Sequence, residues 1–466
     1  GYCRNTSPHL DEAAREGVRF DRYYCSDAPC LPSRAALTTG RFGIHNGVVG
    51  HGGTAADLRL EGYGRDFQAT LADSCFANIF RRAGLHTVSI SPFAERHSAY
   101  WYYAGYEEML NTGKCGLESA EDVTPLALDW IDRHGSDDNW LLHINYWDAH
   151  TPYRAPASFG NPFAREALPA WMNADALARH RKLAGPHKPR ETAMYDNSVN
   201  PSTPRFPGEI ADMAGLHQMI DGYDCGIAYM DSHIGRLFAA LKEKGVWDDL
   251  ILIISADHGE NQGELGIYGE HGTADEATCR IPLILRFPGC APGHVDEDFH
   301  YQIDLLPTLA ALMGVTPHPT WEGESFAPAL QGQRCGRSHV VLSQCAHVCQ
   351  RSVRFGDWLY LRTVHDGYHL FPREMLYNLA EDPHEQCDVA QSRPDICGQG
   401  ARLLSDWLED MLMAQPGPDP LWTVYHEGGP YHTRGFLKPY TQYLRQTERG
   451  DLADQIIARH PGEYDL

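Results

Sequence analysis

The clearest chemistry in the sequence starts at a cysteine, Cys30, in the segment APCLPSRAALTTGR. Pro32 fixes the backbone just after it, residues 33–39 can form a helix, and Gly40 can end that helix. The cysteine is therefore expected at a helix N-terminus, where free N–H groups and the helix dipole favour an anion. Arg34, one turn inside, would offer a guanidinium fork to a tetrahedral oxyanion. From spacing alone, a buried structural cysteine is the alternative.

A carboxylate and a histidine, Asp257 and His258, directly follow the apolar run LILIIS at 250–255. A buried strand here would place both at the carboxyl end of a sheet, where ligand sites of open α/β folds collect. An Asp-His pair is a candidate metal pair, although such pairs also occur on surfaces. His150, in YWDAHTPYRAP, follows a second apolar run at 139–147 in the same way, and a structural or solvated role is its alternative.

Helix-like segments alternate with short apolar runs along the chain, which is typical of an α/β sheet flanked by helices. The apolar runs at 139–147 and 250–255 are of the kind found in buried parallel strands. The Pro-rich stretch 156–207 predicts a long irregular insertion. The remaining predicted elements are helices at 8–16 with Ser7 as N-cap, at 76–83 and around 227–241, and strands at 18–24 and 86–91.

A chain of 466 residues is long for a single core, so we expect two unequal domains. The catalytic α/β domain is assigned to 1–337. A smaller domain at 338–414 is expected to contain an antiparallel sheet and a helix at 399–413. Residues 415–466 form a C-terminal extension that packs on the body.

Composition narrows the function. The chain has 39 Lys plus Arg against 62 Asp plus Glu, a formal charge of −23, which argues against a nucleic-acid surface. It contains no run of 18 uncharged apolar residues, so we expect no membrane span. Its 13 cysteines are odd in number and form no C-x-x-C pair, which favours free thiols and a cytoplasmic compartment, with a periplasmic or secreted location left open.

The string C-x-P-S-R followed by A-A-L-T-T-G-R resembles the signature of the type I sulfatases, the formylglycine-dependent branch of the alkaline phosphatase superfamily. This resemblance implies a large, mostly parallel sheet flanked by helices and a smaller C-terminal α+β domain. The segments VRFGDWLYLRT and LYNLAEDPHEQCDVA are also similar to that small domain. It further implies that a formylglycine-generating enzyme oxidises Cys30 to formylglycine, whose hydrated aldehyde is the nucleophile.

The resemblance also assigns roles to other residues. Asp257 and His258 match the family motif that helps to bind Ca²⁺, and Asp257 suits that hard cation better. His150 matches the position that contacts the sulfate ester and its leaving oxygen. The family's first strand ends in two metal-binding aspartates, and no such pair precedes Ser7. We therefore expect the first strand to be missing and the Ca²⁺ site to be incomplete.

Several positions depart from the family pattern. His271, in GEHGTADEATCRIP, stands where the family presents a lysine, and with an ordinary pKa it would titrate within the assay range. The segment SPFAERHSAYW stands where the family has G-K-W-H. The resemblance therefore assigns His97 as the base, and Arg96 as the cation in place of the family's lysine. His432 and Arg434, in YHEGGPYHTRGF, belong to a surface turn or to a loop that lines the pocket.

The function predicted from these motifs is hydrolysis of a sulfate monoester, with a carbohydrate sulfate favoured. Arg34 and the metal would absorb charge on the equatorial oxygens, and His150 or His271 would protonate the leaving oxygen. The alternatives are a phosphonate monoester or phosphodiester hydrolase of the same superfamily, and an inactive binding protein with an unmodified Cys30. Aromatic residues near the motifs could stack on sugar rings, namely Tyr100, Trp101, Tyr102, Trp147 and Tyr153.

Overall fold

The structure, a computed structural model, describes residues 2–59, 73–415 and 417–464. The α-helices of these ranges are α1 (Pro8–Glu16), α2 (Cys30–Thr39), α3 (Gly43–Asn46), α4 (Phe76–Arg82), α5 (Phe93–His97), α6 (Ala120–His134), α7 (Ala174–His180), α8 (Met213–Glu243), α9 (Glu276–Cys279), α10 (Leu305–Met313), α11 (Pro394–Ala414), α12 (Pro420–His426), α13 (Leu437–Gln446) and α14 (Gly450–Arg459). Short 3₁₀ turns lie at Thr54–Ala56, Tyr100–Tyr103, Ala157–Phe159, Trp247–Asp249, Glu264–Gly266, Gln302–Asp304, Ala327–Gln331 and Tyr431–Thr433.

The strands are β1 (Val18–Tyr24), β2 (Asp27–Ala28), β3 (His86–Ile90), β4 (Glu108–Leu110), β5 (Trp140–Ile144), β6 (Leu252–Ser255), β7 (Asn261–Gln262), β8 (Tyr268–Glu270), β9 (Arg280–Arg286), β10 (Val295–Asp296), β11 (His300–Tyr301), β12 (His339–Gln344), β13 (Cys349–Phe355), β14 (Trp358–His365) and β15 (Glu374–Asn378). The predicted helices and strands at 8–16, 18–24, 76–83, 86–91, 139–147 and 250–255 all form, with ends that differ by up to three residues.

Most strands of the large domain lie in two sheets with different strand directions, while β7 and β8 form a separate antiparallel pair. In one, β4, β3 and β5 are all parallel. In the other, the order is β10-β1-β9-β6, and β9 runs antiparallel to both β1 and β6. The α/β class is therefore confirmed. The second of these sheets is mixed, because β9 runs antiparallel to the two strands beside it.

Strands β5 and β6 are less buried than their sequences predict. All five residues of β5 are only half-buried, and β6 ends at an exposed Ser255. Within the described ranges, β5 pairs only with β3, and β6 pairs only with β9. Each strand therefore has one unpaired edge, and helices α6 and α8 pack against the apolar side chains of both strands.

Helix α2 begins at Cys30 itself, three residues earlier than the helical pattern predicts. Gly40 ends the helix in the left-handed conformation (φ 67°), and its N–H donates to the carbonyl of Ala36. A Cβ at this glycine would lie 2.4 Å from the Trp321 ring, so both conformation and space favour glycine here. Ser7 precedes α1 as predicted, but its side chain makes no capping hydrogen bond.

The small domain contains its own sheet, in the order β15-β14-β13-β12-β2. The first of its consecutive strands begins at His339, close to the predicted boundary at 338. Its fifth strand, β2, comes from the N-terminal part of the chain and runs parallel to β12. The helix predicted at 399–413 begins earlier, at Pro394. The division into three units stays a prediction, and the β2–β12 pairing joins the first two.

The stretch 156–207 is mostly irregular, as predicted, with α7 as its α-helix. Across the described ranges, no helix combines the length and apolar character needed to cross a bilayer.

The C-terminal extension is attached to the small sheet by a buried ion pair. Arg351 on β13 donates two hydrogen bonds of 2.6 Å to Asp419, and both side chains are almost fully buried. Asp419 also caps α12 by accepting from the N–H of Leu421. The pair therefore fixes the start of α12 against β13.

We expect Asp419→Asn to lower the free energy of unfolding by about 3–5 kcal/mol, because Arg351 would keep a buried charge without its partner. Asparagine still caps a helix, so the substitution isolates the loss of charge. The control is Asp454→Asn, which removes the exposed pair with Arg445 and should cost at most about 1 kcal/mol. Urea denaturation measures both; equal costs would contradict a stabilising role for the buried pair.

Candidate active site

The site is organised around the Cys30 thiol at the first residue of α2. Its Sγ lies 3.0 Å from His258 Nε2 and 3.8 Å from His150 Nε2, and the residue is 2% exposed. Burial opposes ionisation of the thiol, but the imidazoles of His258, His150 and His271 outweigh it and hold its pKa well below the usual value. Position 30 is therefore an anion-stabilising environment lined by proton donors and acceptors.

Asp257 and His258 follow β6 and lie beside the start of α2. Arg34 Nε donates to Asp257 Oδ2 at 2.9 Å, and Ser33 Oγ donates to the Asp257 carbonyl at 2.5 Å. Burial raises the pKa of Asp257, but the charges of Arg34 and His258 outweigh it and lower that pKa. The charge on Arg34 that was predicted to face an oxyanion is thus partly balanced by Asp257.

His271 is paired with a buried carboxylate. Its Nε2 lies 3.1 Å from Glu270 Oε1, and the other carboxylate oxygen, Oε2, lies 2.9 Å from His187 Nε2. Burial lowers the pKa of His271, but the charge of Glu270 outweighs it and raises that pKa well above the ordinary value. The prediction that His271 titrates with an ordinary pKa is therefore wrong, because the side chain of the adjacent Glu270 turns towards the His271 ring.

The ring of His271 also lies close to the other histidines of the site. Its centroid is 4.1 Å from that of His258 and 5.1 Å from that of His150. Its Nδ1 is buried and has no hydrogen-bond partner within the described ranges. Glu260 Oε2 lies 3.8 Å from this nitrogen, so a protonated His271 would direct its Nδ1–H towards the space between Glu260 and the other site histidines.

His97 lies farther along the same region. Its ring centroid is 5.3 Å from that of His51, and its buried Nε2 has no hydrogen-bond partner among the described residues. None of its described contacts is with Cys30, whereas His258 is in direct contact with the thiol. His258 is consequently better placed than His97 to exchange a proton at position 30.

Arg96, the predicted replacement for a lysine cation, is at the surface. It donates to the carbonyl of Cys115 at 3.3 Å, and its guanidinium lies 5.4 Å from the Trp147 ring centroid. None of its described contacts is with Cys30, so its role as a replacement cation stays a prediction.

His432 and Arg434, predicted together, face different partners. The His432 ring stacks on that of His347 at 4.1 Å, within the histidine-rich region. Arg434 pairs with Glu427 at 3.3 Å and donates to the carbonyl of Gly429. The guanidinium of Arg434 is thus already neutralised, and only His432 lies beside other site histidines.

Three residues of this region were not predicted from the sequence, namely His51, His347 and Glu270. His51 lies in the loop after α3, and His347 in the turn between β12 and β13. No local pattern marks either histidine as functional, because only the fold brings these segments together. Glu270 directly precedes His271, and this adjacent charge was the one available signal.

The donor atoms around Cys30 do not fit the predicted Ca²⁺. Asp257 contributes a carboxylate, whereas the described group of potential ligands around the thiol consists of Cys30, His150, His258 and His271. Calcium requires six to eight oxygen ligands, while imidazole suits transition metals. The described residues therefore do not support Ca²⁺ as the metal.

Comparisons with known proteins identify the family of this chain. The sulfatase family profile matches residues 1–315, more than half of the chain. The choline-sulfatase of Rhizobium meliloti (strain 1021) is 24% identical over 442 residues, covering 82% of this chain and 79% of that protein.

Two solved structures share the fold. The phosphonate monoester hydrolase of Agrobacterium radiobacter has a TM-score of 0.67 at 21% identity, covering 88% of this chain and 92% of that chain. A structure in complex with its substrate D-glucosamine-2-N,6-O-disulfate has a TM-score of 0.67 at 17% identity, covering 88% and 94%. The site contains the thiol, the strand-end carboxylate and the histidines, and the family profile covers more than half of the chain. This chain therefore belongs to the sulfatase family of the alkaline phosphatase superfamily, and it is a sulfuric ester hydrolase.

Proposed function

We propose that this sulfatase hydrolyses a carbohydrate sulfate monoester through a formylglycine made from Cys30. The observation that carries the proposal is the position of Cys30, at the start of α2 with His258 at 3.0 Å and His150 at 3.8 Å from its Sγ. A hydroxyl at the same place would find hydrogen-bond partners in both imidazoles. The hydrated aldehyde of formylglycine supplies such a hydroxyl as nucleophile and can be regenerated without attack of water on sulfur.

The surrounding side chains have complementary tasks. His258, whose pKa is raised because Asp257 and the thiolate outweigh its burial, would hold and exchange the proton of the nucleophilic hydroxyl. His271, kept cationic by Glu270, would neutralise a sulfate oxygen in the way that the family's lysine does. His150, beside the same position, would donate a proton to the leaving oxygen.

A carbohydrate is favoured as the leaving group by one of the structural relatives, which was solved with a disulfated glucosamine. The predicted aromatic platform gives little further support. Tyr102, Trp147 and Tyr153 are at most 5% exposed and pack against protein, whereas Tyr100 is 61% exposed. The sugar would therefore be recognised mainly by polar side chains.

The second candidate is a phosphonate monoester hydrolase, which the fold likeness to the Agrobacterium radiobacter enzyme favours. Both substrates are tetrahedral anions of similar shape, so the geometry of Cys30 and Arg34 suits either.

The nucleophile is tested by Cys30→Ala, which we expect to reduce turnover of 4-nitrophenyl sulfate below about one percent of wild type. Cys387→Ala, at an exposed cysteine, is the control and should retain full activity. Mass spectrometry of the wild-type peptide should show position 30 about 18 Da lighter than cysteine. A plain cysteine in fully active protein would overturn the assignment.

The role of His271 is tested by Glu270→Gln. Without the adjacent charge, the pKa of His271 should fall towards its ordinary value, so the proton needed for sulfate binding is lost at lower pH. The basic limb of kcat/KM should therefore move to lower pH in this variant. The control, Glu264→Gln, removes a buried carboxylate that pairs with His384 instead, and should leave the limb in place. An unchanged limb in Glu270→Gln would refute the proposed role.

The two candidate substrates are separated by comparing kcat/KM for 4-nitrophenyl sulfate and for a 4-nitrophenyl phosphonate monoester. We expect the sulfate to be preferred by at least about ten-fold. A preference for the phosphonate, with both activities lost in Cys30→Ala, would reassign the chain to the second candidate.

A further inference from the structure

A second cluster of histidines lies beside the Cys30 site and has no role in the proposed reaction. It consists of His51 in the loop after α3, His347 in the β12–β13 turn and His432 in the 3₁₀ turn Tyr431–Thr433. Three separate segments of the chain thus converge on one point. Each ring can offer a nitrogen to a common centre, and these nitrogens lie within 4.8 Å of one another.

The geometry within the cluster is close. His51 Nδ1 and His432 Nε2 lie within hydrogen-bond distance, at 3.0 Å. The rings of His347 and His432 stack at 4.1 Å with an interplanar angle of 18°, so one of these two rings must turn before both can direct a nitrogen at a shared ion. For metal–nitrogen bonds of 2.0–2.1 Å, two ligands of a tetrahedral ion lie about 3.3 Å apart. The nitrogens of His51 and His432 are therefore already near the separation that a shared ion requires.

The backbone around the cluster is held in place. Gln344 accepts hydrogen bonds from the N–H groups of Ala346 and His347, which fixes the β12–β13 turn. The N–H of His432 donates to the carbonyl of Ala346 at 3.2 Å, and Tyr195 donates to the carbonyl of His432. The backbone that carries His347 and His432 is consequently fixed, and ion binding requires adjustment of the ring orientations only.

The electrostatics favour neutral imidazoles, which is the form that binds metals. Burial together with the neighbouring His432 holds the pKa of His51 well below the ordinary value, and burial lowers that of His347 in the same way. The pKa of His432 is lowered to about 4, mainly by burial. The Nε2 of His51, on the far side of the ring from His432, is buried with no hydrogen-bond partner among the described residues, so an ion could bind either nitrogen of this ring only after it reorients.

We propose that His51, His347 and His432 bind a divalent transition-metal ion of the Zn²⁺ class. Three imidazoles suit Zn²⁺, Co²⁺ or Ni²⁺ far better than Ca²⁺ or Mg²⁺. Three protein ligands also leave a coordination position for water or for a substrate oxygen. This centre shares no residue with the group formed by Cys30, His150, His258 and His271, although His347 also lies beside Glu270 and His271.

The cluster nevertheless lies next to that group. The ring of His347 is 5.9 Å from that of His271, and the ring of His51 is 5.3 Å from that of His97. An ion here would be close enough to the substrate pocket to contact the leaving group.

The test uses the full chain carrying Cys30→Ala, which removes the thiolate as a competing ligand. After chelation and dialysis, Co²⁺ is added and its binding is measured by visible d–d absorption and by elemental analysis. We expect His51→Ala, His347→Ala and His432→Ala in this background each to weaken one Co²⁺ site by at least about ten-fold. The matched control is His426→Ala, at an exposed histidine of the same C-terminal segment, which should keep all bound metal.

Folding of each variant is checked by near-ultraviolet circular dichroism, with His→Gln variants replacing any alanine variant that unfolds. In addition, Zn²⁺ should raise the Tm of the parent and not that of the three cluster variants. The proposal is overturned if the parent binds no Co²⁺, if the cluster variants bind as much as the parent, or if His426→Ala loses the same site. Hydrolysis by the wild-type chain is measured separately, so none of these outcomes changes the assignment of Cys30.

Discussion

Charge balance among buried histidines is the constraint on which the rest of this site depends. Imidazoles packed this closely cannot all be protonated, because burial and mutual repulsion oppose each added charge. Two carboxylates decide the outcome. Asp257 raises the pKa of His258, and Glu270 raises that of His271, while the pKa values of the second cluster fall. His258 and His271 therefore retain a proton more readily beside Cys30, and the second cluster favours neutral imidazoles, although the rings of His271 and His347 are only 5.9 Å apart.

This division explains how a chain with a net charge of −23 can attract an anionic ester. The positive field at Cys30 comes from Arg34, His258 and His271. Asp257 partly balances the charge of Arg34 and also raises the pKa of His258, so the same carboxylate offsets one cation and favours the protonated form of another. A histidine held cationic by Glu270 can serve where the family uses lysine, and its pKa can be adjusted through its partner.

The sequence predicted the elements that local chemistry specifies. The helix start at Cys30, the left-handed Gly40 and the strand preceding Asp257 follow from residue type and spacing, and the family resemblance added His150 and His271. It did not predict the antiparallel entry of β9, because an apolar run carries no information on direction. It also missed His51 and His347, which become neighbours only through contacts between distant segments. The pKa of His271 depended on the orientation of one side chain, Glu270, which no pattern encodes.

The pairing of β2 with β12 shows why the small sheet belongs to the site. Asp27 and Ala28 pair with Ser343 and Gln344, and Cys30 follows two residues after β2. His347 follows three residues after the end of β12, so one short ladder sets the spacing between the nucleophile position and the turn that carries His347. The C-terminal extension then adds His432 against that turn. Because Arg351 and Asp419 fix the extension to the same sheet, a disturbance at that ion pair would reach the histidines before it reached Cys30, whose own contacts lie within the large domain.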